Sequence, residues 1–310
     1  MKSFVIILCV IFVLCLNCNR EGDRSVEPDK IKIALVLKTL NSPFFIELHK
    51  GAAEAAKKEN IELVVQAPER EIDVEKQMQI IENLIQTQVN AICVSPSGSR
   101  ELLPAIAKAN NAKIPILIVD TRIDEKAARE QGIRALTFIG SDNYQGGRLA
   151  GEYVASLSDN MLNVVILEGI PGHETGDNRF RGFTDEISKF DNIKIIASQP
   201  ANWERDQGYN VMQNLIQAHP GINLVFACND LMALGAMEAV IASGKIKQIK
   251  IIGFDAVEEA RKEIQLGHLE ASIAQHPEEM GRLAIEYAIK AVKGEMIPEY
   301  IPVKIELITR

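Results

Sequence analysis

Short apolar runs recur along the chain, and each ends in a polar or aromatic residue. Positions 33–37 (IALVL) lead into Asn41-Ser42-Pro43-Phe44-Phe45, and 116–119 (ILIV) end at Asp120. Positions 224–227 (LVFA) lead through Cys228 to Asn229-Asp230, 249–254 (IKIIGF) end at Asp255, and 271–274 (ASIA) end at Gln275. Between such runs lie stretches of helical period: 44–58 has Phe45, Leu48, Ala52 and Ala55 on one face, and 74–87 has Met78, Ile81, Leu84 and Ile85. The pattern continues with strands at 62–66, 91–94, 136–139, 164–167 and 194–197, and with helices at 101–110, 144–157, 179–190, 205–217 and 231–243. Strands alternating with helices of about ten to fifteen residues mean βαβ units and parallel sheets. The series restarts after 136–139, and only Gly140-Ser141-Asp142-Asn143 joins the two sets. The fold class is therefore α/β, with two doubly wound lobes hinged by a short connection.

In an open parallel sheet, ligands bind in the crevice beyond the carboxyl ends of the strands. Asp120, Asn229, Asp255 and Gln275 stand at such ends, and Arg179 opens a helix behind another. Two carboxylates, two amides and a guanidinium supply planar donors and acceptors for vicinal hydroxyls. Each hydrogen bond to an ionised group is worth roughly 1.5–3 kcal/mol, and such a site rejects analogues lacking the matched hydroxyl. Phe44-Phe45 and Trp203, the single tryptophan, offer flat apolar faces for a ring, with one of the two phenylalanines expected in the core. Taken one at a time, the same polar residues could simply cap helices. Asp142 is expected to cap the helix that follows, with Ser141 facing the cleft.

Aromatics make up only 5% of the chain, so the paired phenylalanines stand out. A net charge of −8 speaks against a general nucleic-acid binder. Lys2 followed by an apolar stretch at 4–16 reads as an export signal over 1–17. Leu14-Cys15-Leu16-Asn17 ahead of Cys18 resembles a bacterial lipoprotein processing site, so Cys18 is expected to be lipidated, with 18–30 as a tether. Cys93 and Cys228, in apolar runs, are expected in the core, and no cysteine–histidine spacing fits zinc or any other metal. Gly146-Gly147 and Gly151 (GGRLAG) are in the wrong order for a dinucleotide loop and lack a Walker lysine, so they read as close helix packing. His173 and Glu174 have no second histidine at helical spacing, and no nucleophile elbow or triad is present. The chain is expected to need no cofactor and to catalyse no reaction.

From about residue 31 onward the chain resembles the periplasmic ribose-binding protein family, the substrate-binding proteins of sugar ABC transporters. The resemblance rests on 39–45 (TLNSPFF), 140–143 (GSDN), 197–201 (ASQPA), 210–215 (NVMQNL), Asn229-Asp230, 253–255 (GFD) and 273–275 (IAQ). It implies a type I periplasmic binding protein whose lobes, joined by three crossovers, close around one sugar. Lobe 1 would be 31–140 with 275–302, and lobe 2 would be 141–274 with 303–310. By resemblance, Phe44, Phe45 and Trp203 sandwich the ring, and Asp120, Arg179, Asn229, Asp255 and Gln275 bind its hydroxyls. The chain departs from the family where Ser42 replaces an asparagine, where Thr121 then Arg122 follow Asp120 instead of an immediate arginine, where Trp203 replaces a phenylalanine, and in an insertion at 125–134. Ser42, Thr121 and Arg122 thus reshape the first-lobe wall, and the ligand could be a pentose, a hexose or a polyol. The implied protein is an extracytoplasmic, lipid-anchored monomer that passes a monosaccharide to an inner-membrane ABC permease. The alternative is a sensor that presents the sugar to a chemoreceptor or sensor kinase. Asp120→Ala and Arg179→Ala are both expected to remove binding without unfolding the protein.

Overall fold

In the computed structural model, residues 30–157 and 160–310 are described; the expected export signal over 1–17 and the expected lipidation site Cys18 lie outside them. Two six-stranded sheets organise the chain. The first is built from β1 (Lys32–Val36), β2 (Glu62–Gln66), β3 (Ala91–Val94), β4 (Ile116–Val119), β5 (Phe138–Gly140) and β11 (Tyr300–Pro302), in the order β2-β1-β3-β4-β5-β11 and parallel throughout. The second contains β6 (Leu162–Glu168), β7 (Ile193–Pro200), β8 (Leu224–Ala227), β9 (Lys250–Asp255), β10 (Ala271–Ala274) and β12 (Glu306–Thr309). Its order is β7-β6-β8-β9-β10-β12, with β12 alone antiparallel. The chain passes between the sheets after β5, after β10 and after β11.

The apolar runs became central strands because both of their faces are covered. β3, β4, β8 and β10 are buried along their whole length, as expected for parallel strands flanked by helices. On the first sheet, α1 (Pro43–Lys58) and α10 (Pro277–Val292) cover one face with Phe45, Leu48, Met280 and Ile285. Helices α2 (Val74–Gln86) and α3 (Leu103–Asn111) cover the other. The second lobe has its own core around Phe183, Phe226, Met232 and Phe254. Cys93 and Cys228 are free and fully buried, and burial pushes both thiols up to about 12. They are core residues.

The helices depart from those read in the sequence at several places, and α10 and a helix at Glu258–Leu266 were not expected. The insertion at 125–134 contains a short helix, α4 (Glu125–Glu130), capped by Asp124. Helix α6 runs Glu174–Ile187, so His173 and Glu174 stand at its start, not in a loop ahead of it. Its first turn, Glu-Thr-Gly-Asp-Asn, carries no apolar residue because it faces the other lobe, so hydrophobic periodicity could not show it. Helix α5 (Asn143–Ser156) is capped by Asp142, whose carboxylate accepts from Gln145 N at 2.9 Å.

The GGRLAG segment packs α5 on α6. A Cβ at Gly147 would run into the Arg179 carbonyl, and one at Gly182 would run into the Tyr144 carbonyl. The two backbones approach because both glycines lack that atom. Gly147→Ala is expected to destabilise the protein by roughly 1–3 kcal/mol through overpacking, read as a lower denaturant midpoint. An unchanged midpoint would mean that the helices can separate freely.

Candidate functional site

The carboxyl ends of the two sheets enclose a hollow lined by Lys38, Ser42, Phe44, Phe45, Glu71, Asp120, Thr175, Arg179, Trp203, Asn229, Asp255 and Gln275. Its cavity volume is about 30 Å³, far below the roughly 300–1,000 Å³ usual for ligand pockets, so the two walls lie close together.

One charge cluster sits on each lobe. On the first, Lys38 Nζ lies 3.4 Å from Asp120 Oδ2 and 3.9 Å from Glu71 Oε2. Asp120 Oδ2 also accepts from Ser95 Oγ at 3.1 Å and Thr121 Oγ1 at 2.9 Å. On the second, Arg179 donates from Nε to Asn143 Oδ1 at 2.8 Å and from Nη1 to the Cys228 carbonyl at 2.7 Å. The same Nη1 lies 3.4 Å from Asp255 Oδ1, which also accepts from Gln275 Nε2 at 2.7 Å. The Arg179 guanidinium lies over the Phe254 ring, 3.9 Å from its centroid, so its apolar faces are covered while its edges stay bonded. Arg179 and Asp120 are each 3% exposed.

The aromatic walls are fixed by their elements. Phe44 and Phe45 open α1 behind Pro43, edge to face at 5.2 Å between centroids. Both are buried, so neither is given up to solvent. Trp203 holds a left-handed backbone, φ 68°, and its indole lies against Gly169 and Gly176, where a Cβ would collide with the ring. Asn229 caps α8 (Asp230–Ala242) by accepting from Met232 N at 2.9 Å, and it donates from Nδ2 to the Trp203 carbonyl at 3.2 Å. The cap reading of Asn229 and its place in the hollow therefore hold together. Trp203 Nε1 and Gln275 Oε1 are buried with no partner.

Burial dominates the electrostatics. It pushes Glu71 up to about 7 against the pull of Lys38, and Asp255 up to about 6 against the pull of Arg179. Burial and Lys38 together push His173, beside the hollow, down to about 4.

Nine of the twelve residues named from the sequence line the hollow, and Thr121, Arg122 and Ser141 do not. Thr121 stands one layer back, bonded to Asp120 and, at 2.8 Å, to Thr175 Oγ1 across the cleft. Arg122 is directed elsewhere: its guanidinium stacks over Phe138, 3.9 Å from the ring centroid, beside Tyr300, and pairs with Glu125 at 3.0 Å. Ser141 is buried, and its hydroxyl has no partner. Lys38, Glu71 and Thr175 line the hollow without having been expected there. Lys38 had a signal, as a cation set directly behind the buried strand β1. Glu71 and Thr175 stand in polar segments where periodicity is silent.

A family model described as the periplasmic binding protein domain matches residues 33–296. The ribose import binding protein RbsB of Salmonella typhimurium is 35% identical, over 91% of each chain. The D-allose-binding periplasmic protein of Escherichia coli is 32% identical, over 86% of each. A solute-binding protein from Actinobacillus succinogenes, solved with bound D-allose, is 38% identical with a TM-score of 0.86, covering 90% of this chain and 98% of its own. This chain belongs to the periplasmic ribose-binding protein family. Its members are sugar-binding transport proteins that act outside the cytoplasm, not enzymes.

Thr121 stands where the resemblance implies an arginine after Asp120, and a cation reaches that carboxylate from elsewhere in the same sheet. Lys38, which follows β1 two strands away in the sheet, brings a cation to within 3.4 Å of Asp120. The expectation that Arg179→Ala would leave stability intact is revised. The substitution strips the buried Asp255 of its charge partner, and breaking such a pair costs about 3–5 kcal/mol. Glu71 supports a pH prediction. Between about pH 4.5 and 7 the folded protein keeps a proton that the unfolded chain has lost, so Glu71 lowers stability as pH rises through that window. Glu71→Gln is expected to gain in melting temperature over the parent from pH 5 to pH 8. A constant difference between the two would contradict the burial of this carboxyl.

Proposed function

We propose that this protein captures one monosaccharide in the hollow between its lobes and delivers it to an ABC permease. The observation that carries the reading is the pair of buried, unpartnered groups, the Trp203 donor and the Gln275 acceptor, on residues that line the chamber. A buried group without a partner forfeits its desolvation cost until something bonds to it. A hydroxyl-rich ring between Phe44, Phe45 and Trp203 answers both groups and meets Asp120, Asn229 and Asp255 at its edges. Ribose and D-allose in the names of the relatives favour an aldopentose or aldohexose.

In this reading 31–140 with 275–302 moves as one lobe and 141–274 with 303–310 as the other, turning at the three crossovers. The ligand holds the closed state because it touches both. Cys18 carries a lipid that keeps the protein at the membrane where the permease works, and the protein acts as a monomer.

A thermal-shift panel of D-ribose, D-allose, D-galactose and myo-inositol tests the reading. A sugar at 100 times its dissociation constant adds about 2.7 kcal/mol, and a panel with no shift would sink the proposal. Asp120→Asn is expected to weaken the winning sugar by roughly 10- to 100-fold, the worth of a hydrogen bond to an ionised group, while melting stays a single transition. Affinity is also expected to fall as pH drops through about 6, where Asp255 takes up a proton and can no longer accept from a hydroxyl through both oxygens. Titration calorimetry from pH 7.5 to 5 checks this, and Asp255→Asn should flatten the profile.

A further inference from the structure

Asp255 and Ala256 are consecutive non-glycine residues with positive φ, 112° and 52°. Side chains rarely adopt this backbone, and it persists only where its surroundings impose it. Here three elements do so. Ala256 N donates to Ser272 Oγ on β10 at 3.0 Å, and Val257 N donates to Asp230 Oδ2 on α8 at 2.8 Å. Arg261, from α9 (Glu258–Leu266), donates to the Ala256 carbonyl at 2.7 Å. Ser272 Oγ in turn donates to Asp230 Oδ1 at 2.7 Å, so serine and aspartate form one unit. Both are fully buried. Strand β9 passes directly over the aspartate: a Cβ at Gly253 would fall on Asp230 Oδ1. Among the described residues no cation is paired with Asp230, and burial and the charge of Asp255 raise its pKa. A carboxylate kept there at that cost has a geometric task.

We infer that Asp230 and Ser272 are positioning residues that clamp the turn after β9 in its left-handed conformation and so aim the Asp255 carboxylate into the chamber. Neither lines the chamber. The inference rests on the sugar-binding reading for its effect on affinity, but not for its effect on the backbone.

The test uses the full chain with D-allose and D-ribose as probes, titrated by calorimetry. Ser272→Ala is expected to weaken binding at least tenfold and to lower the melting temperature without sugar, because Ala256 N and Asp230 Oδ1 both lose their partner, and Ser272→Thr should restore both. Asp230→Asn, which keeps the shape but turns one acceptor into a donor, should weaken binding similarly. In an Asp255→Asn background, Ser272→Ala should cost nothing further, because the group it aims is already impaired. Parent-like affinity in Ser272→Ala, or losses that multiply in the double variant, would overturn the inference. A crystal structure of Ser272→Ala without sugar decides it independently. Asp255 and Ala256 should leave the left-handed region, and their retention there would refute the clamp. If neither of these two sugars binds the parent, the preference for ribose or allose fails while this structural arm still gives an answer.

Discussion

The chamber depends on buried charge being paired. Lys38 faces Asp120 on one lobe, and Arg179 faces Asp255 on the other. An ion removed from water and left alone costs several kcal/mol, so each pair fixes the strand end or helix that carries its members. The remaining lone pairs and protons go to Ser95, Thr121, Asn143, Cys228 and Gln275. The result is a rigid polar wall on each side of a gap, and rigidity of this kind is what lets a binding site discriminate between hydroxyl patterns.

The contacts across the gap are of a different kind. Thr121 meets Thr175 at 2.8 Å, Ser99 Oγ accepts from Glu174 N at 3.4 Å, and Arg70 lies 3.9 Å from Glu204. These are polar contacts, and the Arg70–Glu204 pair is partly exposed. Each apolar core belongs to one sheet, so moving one sheet relative to the other would leave the cores intact. A ligand touching both walls can then decide the balance between open and closed states. This division between hard walls and a soft seam suits capture and release better than chemistry.

Much of this was legible in the sequence, for a physical reason. Parallel strands are buried on both faces and read as continuous apolar runs, and the fold places ligands at their carboxyl ends. Asp120, Asn229, Asp255 and Gln275 were visible because they follow such runs directly. Lys38 also follows one, directly behind Leu37. Glu71 and Thr175 enter the chamber from segments with no periodicity, which only the packing of the two sheets brings together. Arg122 misled because proximity in sequence to Asp120 says nothing about direction: the chain turns at Asp120, φ 65°, and sends the next arginine to Phe138. The tasks of Asp230 and Ser272 could not be read at all, since a buried aspartate beside a cap looks like part of the cap.

The central claim is that one sugar ring lies between the two polar walls. The most direct measurement is a crystal structure of the protein grown with the monosaccharide that raises its melting temperature most. The account predicts a single ring between Phe44, Phe45 and Trp203, with hydroxyls on Asp120, Arg179, Asn229, Asp255 and Gln275, and with Trp203 Nε1 and Gln275 Oε1 both bonded. A sugar bound outside this chamber, or an unchanged chamber in a protein that binds the sugar tightly, would contradict it.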